Sequence, residues 1–263
     1  MTEPYEEEFT KLVKIIARLR GPDGCPWDRK QTHSSLREFL LQENYEVLES
    51  LDESDFPKLR QELGDLLLQI MLHTQIASEN GEFDLRDVLE NLNAKLVRRH
   101  PHIFGNERVQ GAEEVSHNWE QLKKKERKED SSILDSVPRQ MPALAYSQEV
   151  QRRASQIGFD WDNINGVIDK LVEEIKELNQ SVSLKEKTEE FGDIFFTLAN
   201  ISRRLGIDPE ASLRQANRKF YRRFKYMEET SRQRGMDFSK LSFDEQNALW
   251  EEAKNKLKES DQN

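Results

Sequence analysis

Apolar residues recur at three- and four-residue intervals along most of the chain, the period of helices packed on one side. Leu12, Val13, Ile15, Ile16 and Leu19 make such a side over residues 5–20, and Leu63, Leu66, Leu67 and Ile70 make one over 56–78. Val88, Leu89, Leu92 and Leu96 make a third over 84–99, with Asp84 placed to cap it. Further helices are expected at 36–51, 143–156, 209–234 and about 243–258, with a frayed tail from Glu259. Turn-forming clusters interrupt the pattern at Gly21-Pro22-Asp23-Gly24-Cys25-Pro26-Trp27-Asp28, at Asp52 to Pro57 and at Gly158-Phe159-Asp160-Trp161-Asp162. No segment shows the β-branched alternation of a strand, so the expected fold class is all-α.

On two of these helices the polar positions are unusual. Glu43 and Glu46 stand three apart in Gln42-Glu43-Asn44-Tyr45-Glu46, and sixteen residues after Glu46 come Glu62 and Asp65, again three apart. Residues three apart share a helix face, and the short break between the helices predicts neighbours, so four carboxylates converge. Such a group raises its own pKa values unless a cation joins it. Oxygen-only donors suit Mg²⁺, with Mn²⁺ as a substitute, and Mg²⁺ in turn implies a substrate carrying phosphates. Glu62 and Asp65 lie within about 40° of Leu66 at 100° per residue, which places them at the edge of the apolar stripe, half buried. Gly64, costly inside a helix, predicts that another backbone or a ligand comes close. Acidic pairs are common on solvated faces when 34% of residues are charged, so the spacing alone does not distinguish a site.

The arrangement occurs twice, however. Glu173-Glu174-Ile175-Lys176-Glu177 is followed by Glu190-Phe191-Gly192-Asp193. In the same order, Asn93-Ala94-Lys95-Leu96-Val97-Arg98-Arg99 matches Asn217-Arg218-Lys219-Phe220-Tyr221-Arg222-Arg223, Trp119-Glu120 matches Trp250-Glu251, and Trp27-Asp28 matches Trp161-Asp162. Self-similarity at this period predicts a duplicated domain: 1–125, a charge-rich linker at 126–140, and 141–263. Lys95, Arg98 and Arg99 complement the end of their helix, but their recurrence as Lys219, Arg222 and Arg223 points to phosphate binding. Trp27 is read equally as core filler or as a stacking platform for a nucleobase. His100-Pro101-His102 is read as structural, because Phe224 stands where the first half has His100.

Composition narrows the setting. A net charge of −10 argues against a general nucleic-acid surface. The single Cys25 can form no internal disulfide, and no apolar run has transmembrane length, so a cytoplasmic, soluble protein is expected without a membrane partner. With 35% hydrophobic residues the helical cores are thin, which favours completion by a homodimer.

The doubled Glu-x-x-Glu, spacer, Glu-x-x-Asp arrangement, together with Gly24-Cys25-Pro26-Trp27-Asp28 and Arg98-Arg99-His100-Pro101-His102-Ile103-Phe104, resembles the MazG nucleoside triphosphate pyrophosphohydrolases over nearly the whole chain. The resemblance implies two tandem four-helix-bundle-like domains, a dimer, Mg²⁺ dependence, and hydrolysis of NTPs or dNTPs to the monophosphate and pyrophosphate. It implies metal ligands at Glu43, Glu46, Glu62 and Asp65 and at Glu174, Glu177, Glu190 and Asp193, with Glu43, Glu46, Glu174 and Glu177 carrying catalysis. Substrate is expected at Trp27, Lys95, Arg98, Arg99, Lys187, Asn217, Lys219, Arg222, Arg223 and Trp250. Two positions depart from the family pattern: Gln42 replaces the leading Glu of the first motif, and Glu186, between Lys185 and Lys187, stands where the second domain can carry a lysine. Two readings compete, a phosphohydrolase acting on dUTP or an alarmone such as ppGpp, and a non-catalytic helical regulator with a vestigial site.

Overall fold

The structure is a computed structural model and describes residues 4–112, 114–115, 118–119, 122 and 132–260. Among these residues there is no strand, and the chain divides into two compact units, Met1–Lys128 and Glu129–Asn263. The run 123–131, which holds the start of the expected linker, lies outside the described residues. The later part of that stretch packs into the second unit, for Val137 is buried and the hydroxyl of Ser136 accepts a hydrogen bond from Arg153.

The first unit contains α1 (Pro4–Arg20), the short α2 (Pro26–Lys30), α3 (Arg37–Glu53), α4 (Phe56–Glu79), α5 (Leu85–Arg99) and the single turn α6 (Pro101–Phe104). Trp27 was expected in a loop but lies on α2, because Pro26 occupies the first helical position, where its fixed φ and missing N–H cost nothing. Helices α3 and α4 form a hairpin. Ser54, left-handed at φ 55°, turns the chain, and the Asp55 carboxylate caps α4 by accepting from the Lys58 N–H. Asp84 and Asp87 build a reciprocal capping box on α5, as the sequence predicts for Asp84.

The core of this unit is displaced to one end of the hairpin. Ile16, Leu36, Met71, Leu72 and Ile76 are buried together, with Leu12, Val13 and Leu19 against them. Ile15 points away and is exposed. The expected stripe on α4 is inverted over its first turns: Glu62 is 5% exposed whereas Leu63 is 50% exposed, and Leu67 and Ile70 are also exposed. Helix α4 turns its acids toward α3 and its apolar side outward. Leu89, Leu92 and Leu96 of α5 are likewise exposed, since α5 rests on the hairpin mainly through its first turns, where Leu85 joins the core.

The second unit contains α7 (Ala143–Ser155), α8 (Ile164–Gln180), α9 (Leu184–Arg204), α10 (Pro209–Gln233), a 3₁₀ turn (Phe238–Lys240) and α11 (Phe243–Ser260). Helix α11 continues past Glu259, where fraying was expected, and residues 261–263 lie outside the described set. Helices α8 and α9 form the hairpin here. Ser183 and Glu186 make a second capping box: the Glu186 carboxylate accepts from the N–H groups of Val182 and Ser183. Met227, Leu249 and Ala253 form a core between α10 and α11. Asp160 in the loop before α8 is clamped by Arg203 and Arg204 of α9.

Candidate active site

The two hairpins position the acids. On α3 and α4, oxygens of Glu43, Glu62 and Asp65 all lie within 4.8 Å of one another. Glu46, the fourth expected acid, is not among the three that converge, but its charge acts on both Glu43 and Glu62 from the same helix face. On α8 and α9 the converging set is Glu174, Glu177 and Glu190, and Asp193 acts electrostatically on Glu190 from one turn further.

Burial and mutual repulsion mark both groups. Burial first, then the charges of Glu46, Asp65 and Glu62, push the Glu43 carboxyl above the usual carboxylate range. Burial followed by Glu46 does the same at Glu62, and burial followed by Glu177 and Glu174 does so at Glu190. Carboxylates drawn together at this separation with raised pKa values fit a hard divalent cation, whose charge would remove the repulsion. The donor set is oxygen alone, as Mg²⁺ or Mn²⁺ requires.

Each group also contains a polar partner, Gln42 in the first, singled out in the sequence only as a departure, and Lys170 in the second, not singled out there. In the first, the Gln42 amide donates to Glu46 Oε1 at 2.8 Å, which gives the departure from Glu a role. In the second, Lys170 Nζ lies 2.8 Å from Glu174 Oε1 and 2.9 Å from Glu173 Oε1, and Glu174 and then Glu173 push the lysine pKa upward. The i, i+3 and i, i+4 spacing of Lys170 to these acids was available in the sequence. Glu186 is explained by its capping box. Lys58, at the same place on α4, instead bridges to Glu49 of α3 at 2.5 Å. A Cβ built at Gly64 or Gly192 meets nothing within 4 Å, so the expected close approach is not made by the described chain.

The basic and aromatic candidates form a separate pattern that both units share. The Arg99 guanidinium sits over the Trp119 ring, 5.4 Å from its centre, and that of Arg223 sits 5.3 Å over Trp250. Lys95 is half-buried on α5. Arg98 is exposed on the same helix, as are Asn217, Lys219 and Arg222 on α10 and Lys187 on the first turns of α9. Trp27 is 52% exposed and meets the edge of Phe39 at 5.7 Å, so it is only partly core filler. His100 hydrogen-bonds through Nδ1 to the Leu96 carbonyl and packs on Trp119, which is a structural role. The structure adds a pair that no short-range pattern signals: His33 and His73, forty residues apart, stack with their Nδ1 atoms at 2.8 Å.

Comparison with known proteins follows the same outline. The profile of the MazG nucleotide pyrophosphohydrolase domain matches residues 31–104, a span holding the first hairpin, α5 and α6. The nucleoside triphosphate pyrophosphohydrolase/pyrophosphatase MazG of Thermotoga maritima is 44% identical over 247 residues, 94% of this chain and 95% of its own. The nucleoside triphosphate pyrophosphohydrolase of Escherichia coli K12 is 40% identical over 255 residues, covering 94% of this chain and 97% of its own. A crystal structure of a mazG-related protein from Thermotoga maritima aligns over 44% of this chain and 98% of its own, with 32% identity and a TM-score of 0.39. With relatives of this identity matching almost end to end, the chain belongs to the MazG family of nucleoside triphosphate pyrophosphohydrolases.

Proposed function

We propose that the chain hydrolyses nucleoside and deoxynucleoside triphosphates to the monophosphate and pyrophosphate, using Mg²⁺ held by Glu43, Glu46, Glu62 and Asp65 in one unit and by Glu174, Glu177, Glu190 and Asp193 in the other. The observation that supports this most directly is the double convergence of three carboxylates to within 4.8 Å in a chain of this family. When bound, Mg²⁺ would neutralise triphosphate oxygens and make a water more acidic, and Mn²⁺ would substitute. The protein's part is to orient acids around that water and to accept its proton on a carboxylate of the group. Attack at the α-phosphorus leaves negative charge on pyrophosphate, and the cations of α5 and α10, with Lys187, are proposed to meet it. Trp27 offers a ring face to a base, and Trp250, whose ring carries Arg223, is proposed to bind substrate together with that arginine.

A homodimer belongs to the same reading. Leu63, Leu67 and Ile70 on α4, with Val172 and Ile175 on α8, are exposed apolar groups lying on the hairpins that hold the acids. A second copy would cover them. No helix among the described residues is long and apolar enough to cross a membrane.

The test is product analysis with Mg²⁺ over a panel of NTPs, dNTPs, dUTP and ppGpp, comparing wild type with Glu43→Gln/Glu62→Gln and Glu174→Gln/Glu190→Gln. Monophosphate and pyrophosphate, lost in one or both variants, are expected. Diphosphate and orthophosphate, or turnover untouched by both variants together, would sink the proposal.

A further inference from the structure

The two groups of acids are gathered by different means. In the first, the neutral amide of Gln42 serves Glu46, and the position four residues before Glu43 is Phe39, whose ring meets Trp27. Lys58, the lysine that acts on Glu62, is engaged by Glu49 at 2.5 Å and Glu53 at 3.8 Å. In the second, the position four residues before Glu174 is Lys170, and its ammonium grips Glu174 and Glu173 together. Glu174 is 4% exposed and is one of the three acids that converge, so its charge has little water to satisfy it. A lysine is suited to a temporary hold on such a group. It is a compact charge on a flexible stem, and Lys170 keeps about a third of its side chain in solvent, so it can withdraw without moving the backbone.

We propose that Lys170 is a built-in counter-cation of the second group, held on Glu174 until a divalent ion replaces it, and that this exchange sets the metal demand of that site. The inference rests on the reading of the acids as a metal site. The acids of α8 and α9 assemble in the absence of metal, because one of them is already paired. Metal affinity at this site is weaker than the acids alone would give, because Glu174 must surrender Lys170. The first site, gathered by an amide, carries no such exchange. A lysine and glutamate one turn apart on an exposed helix form a weak and self-contained contact. A contact of that kind leaves metal binding unchanged, whereas a counter-cation on Glu174 weakens it.

The experiment is Mn²⁺ titration of the full chain, read by electron paramagnetic resonance of the free ion, in a Glu43→Gln/Glu62→Gln background that leaves only the second site. Lys170→Gln is expected to tighten Mn²⁺ binding about fivefold, the scale of one unit charge removed at contact distance in a solvated setting. Lys185→Gln, which breaks an i, i+4 pair with Glu189 at 3.8 Å, should leave the affinity within about twofold of the parent. Thermal unfolding supplies a second readout: without metal Lys170→Gln should melt below the parent, and Mn²⁺ should raise its Tm by more than it raises the parent's. Unchanged affinity in Lys170→Gln, or equal tightening by Lys185→Gln, overturns the role of Lys170 and leaves the metal site standing. No Mn²⁺ binding in any variant overturns the metal reading and this inference with it.

Discussion

Gln42 is a case in which a residue that breaks a motif explains itself once its contact is known. Its amide donates to Glu46, so the first group holds four acids and one neutral donor where the family pattern holds five acids. Gln42→Glu should restore the fifth charge, lower metal-free stability by roughly 1 kcal/mol, the scale of one exchanged hydrogen bond, and enlarge the Tm gain on adding Mg²⁺; calorimetry with and without the ion checks this. The His33 and His73 pair carries a different dependence. Burial, then the facing His33, holds His73 below its usual 6.5, and Glu82 lies 3.8 Å from His33 on the other side. The unfolded chain therefore takes up a proton that the folded chain refuses. Stability from the neutral pair is complete above pH 6.5 and is lost as pH falls below it. Urea unfolding at pH 7.5 and 5.5 should show a fall in stability in wild type that is smaller in His73→Gln. The acids were legible because their spacing repeats; the histidine pair was not, because forty residues separate its members.

At the scale of elements, caps made the helices readable and packing direction did not. Asp84 announced α5, and the Ser183 and Glu186 box fixes where α9 begins, which is why a glutamate stands at the family's lysine position. Ser183→Ala should cost about 1 kcal/mol and lower the Tm of the second unit, with Mn²⁺ affinity nearly unchanged. Leu63, Leu67 and Ile70 were read as core because apolar stripes usually are. Glu62 and Gln69 occupy the buried face instead, since the hairpin gathers acids on its inner side. That inversion cannot be seen from periodicity, which reports that a stripe exists and not which partner it faces. The same limit applies to Leu89, Leu92 and Leu96.

For the whole molecule, outward apolar stripes and a net charge of −10 are in tension unless the stripes are covered. Leu67→Glu should halve the mass seen by light scattering if a second copy covers α4, and should leave helicity intact by circular dichroism, because Leu67 makes little of the unit's own core. The paired arginine and tryptophan of each unit have a further consequence. A guanidinium resting on an indole face alters its fluorescence, and each unit holds two of the chain's four tryptophans, one of them under an arginine. Trp161→Phe/Trp250→Phe leaves emission only from the first half, and Trp27→Phe/Trp119→Phe only from the second, each through an arginine-covered ring, so events in the two halves can be timed separately without attaching a dye.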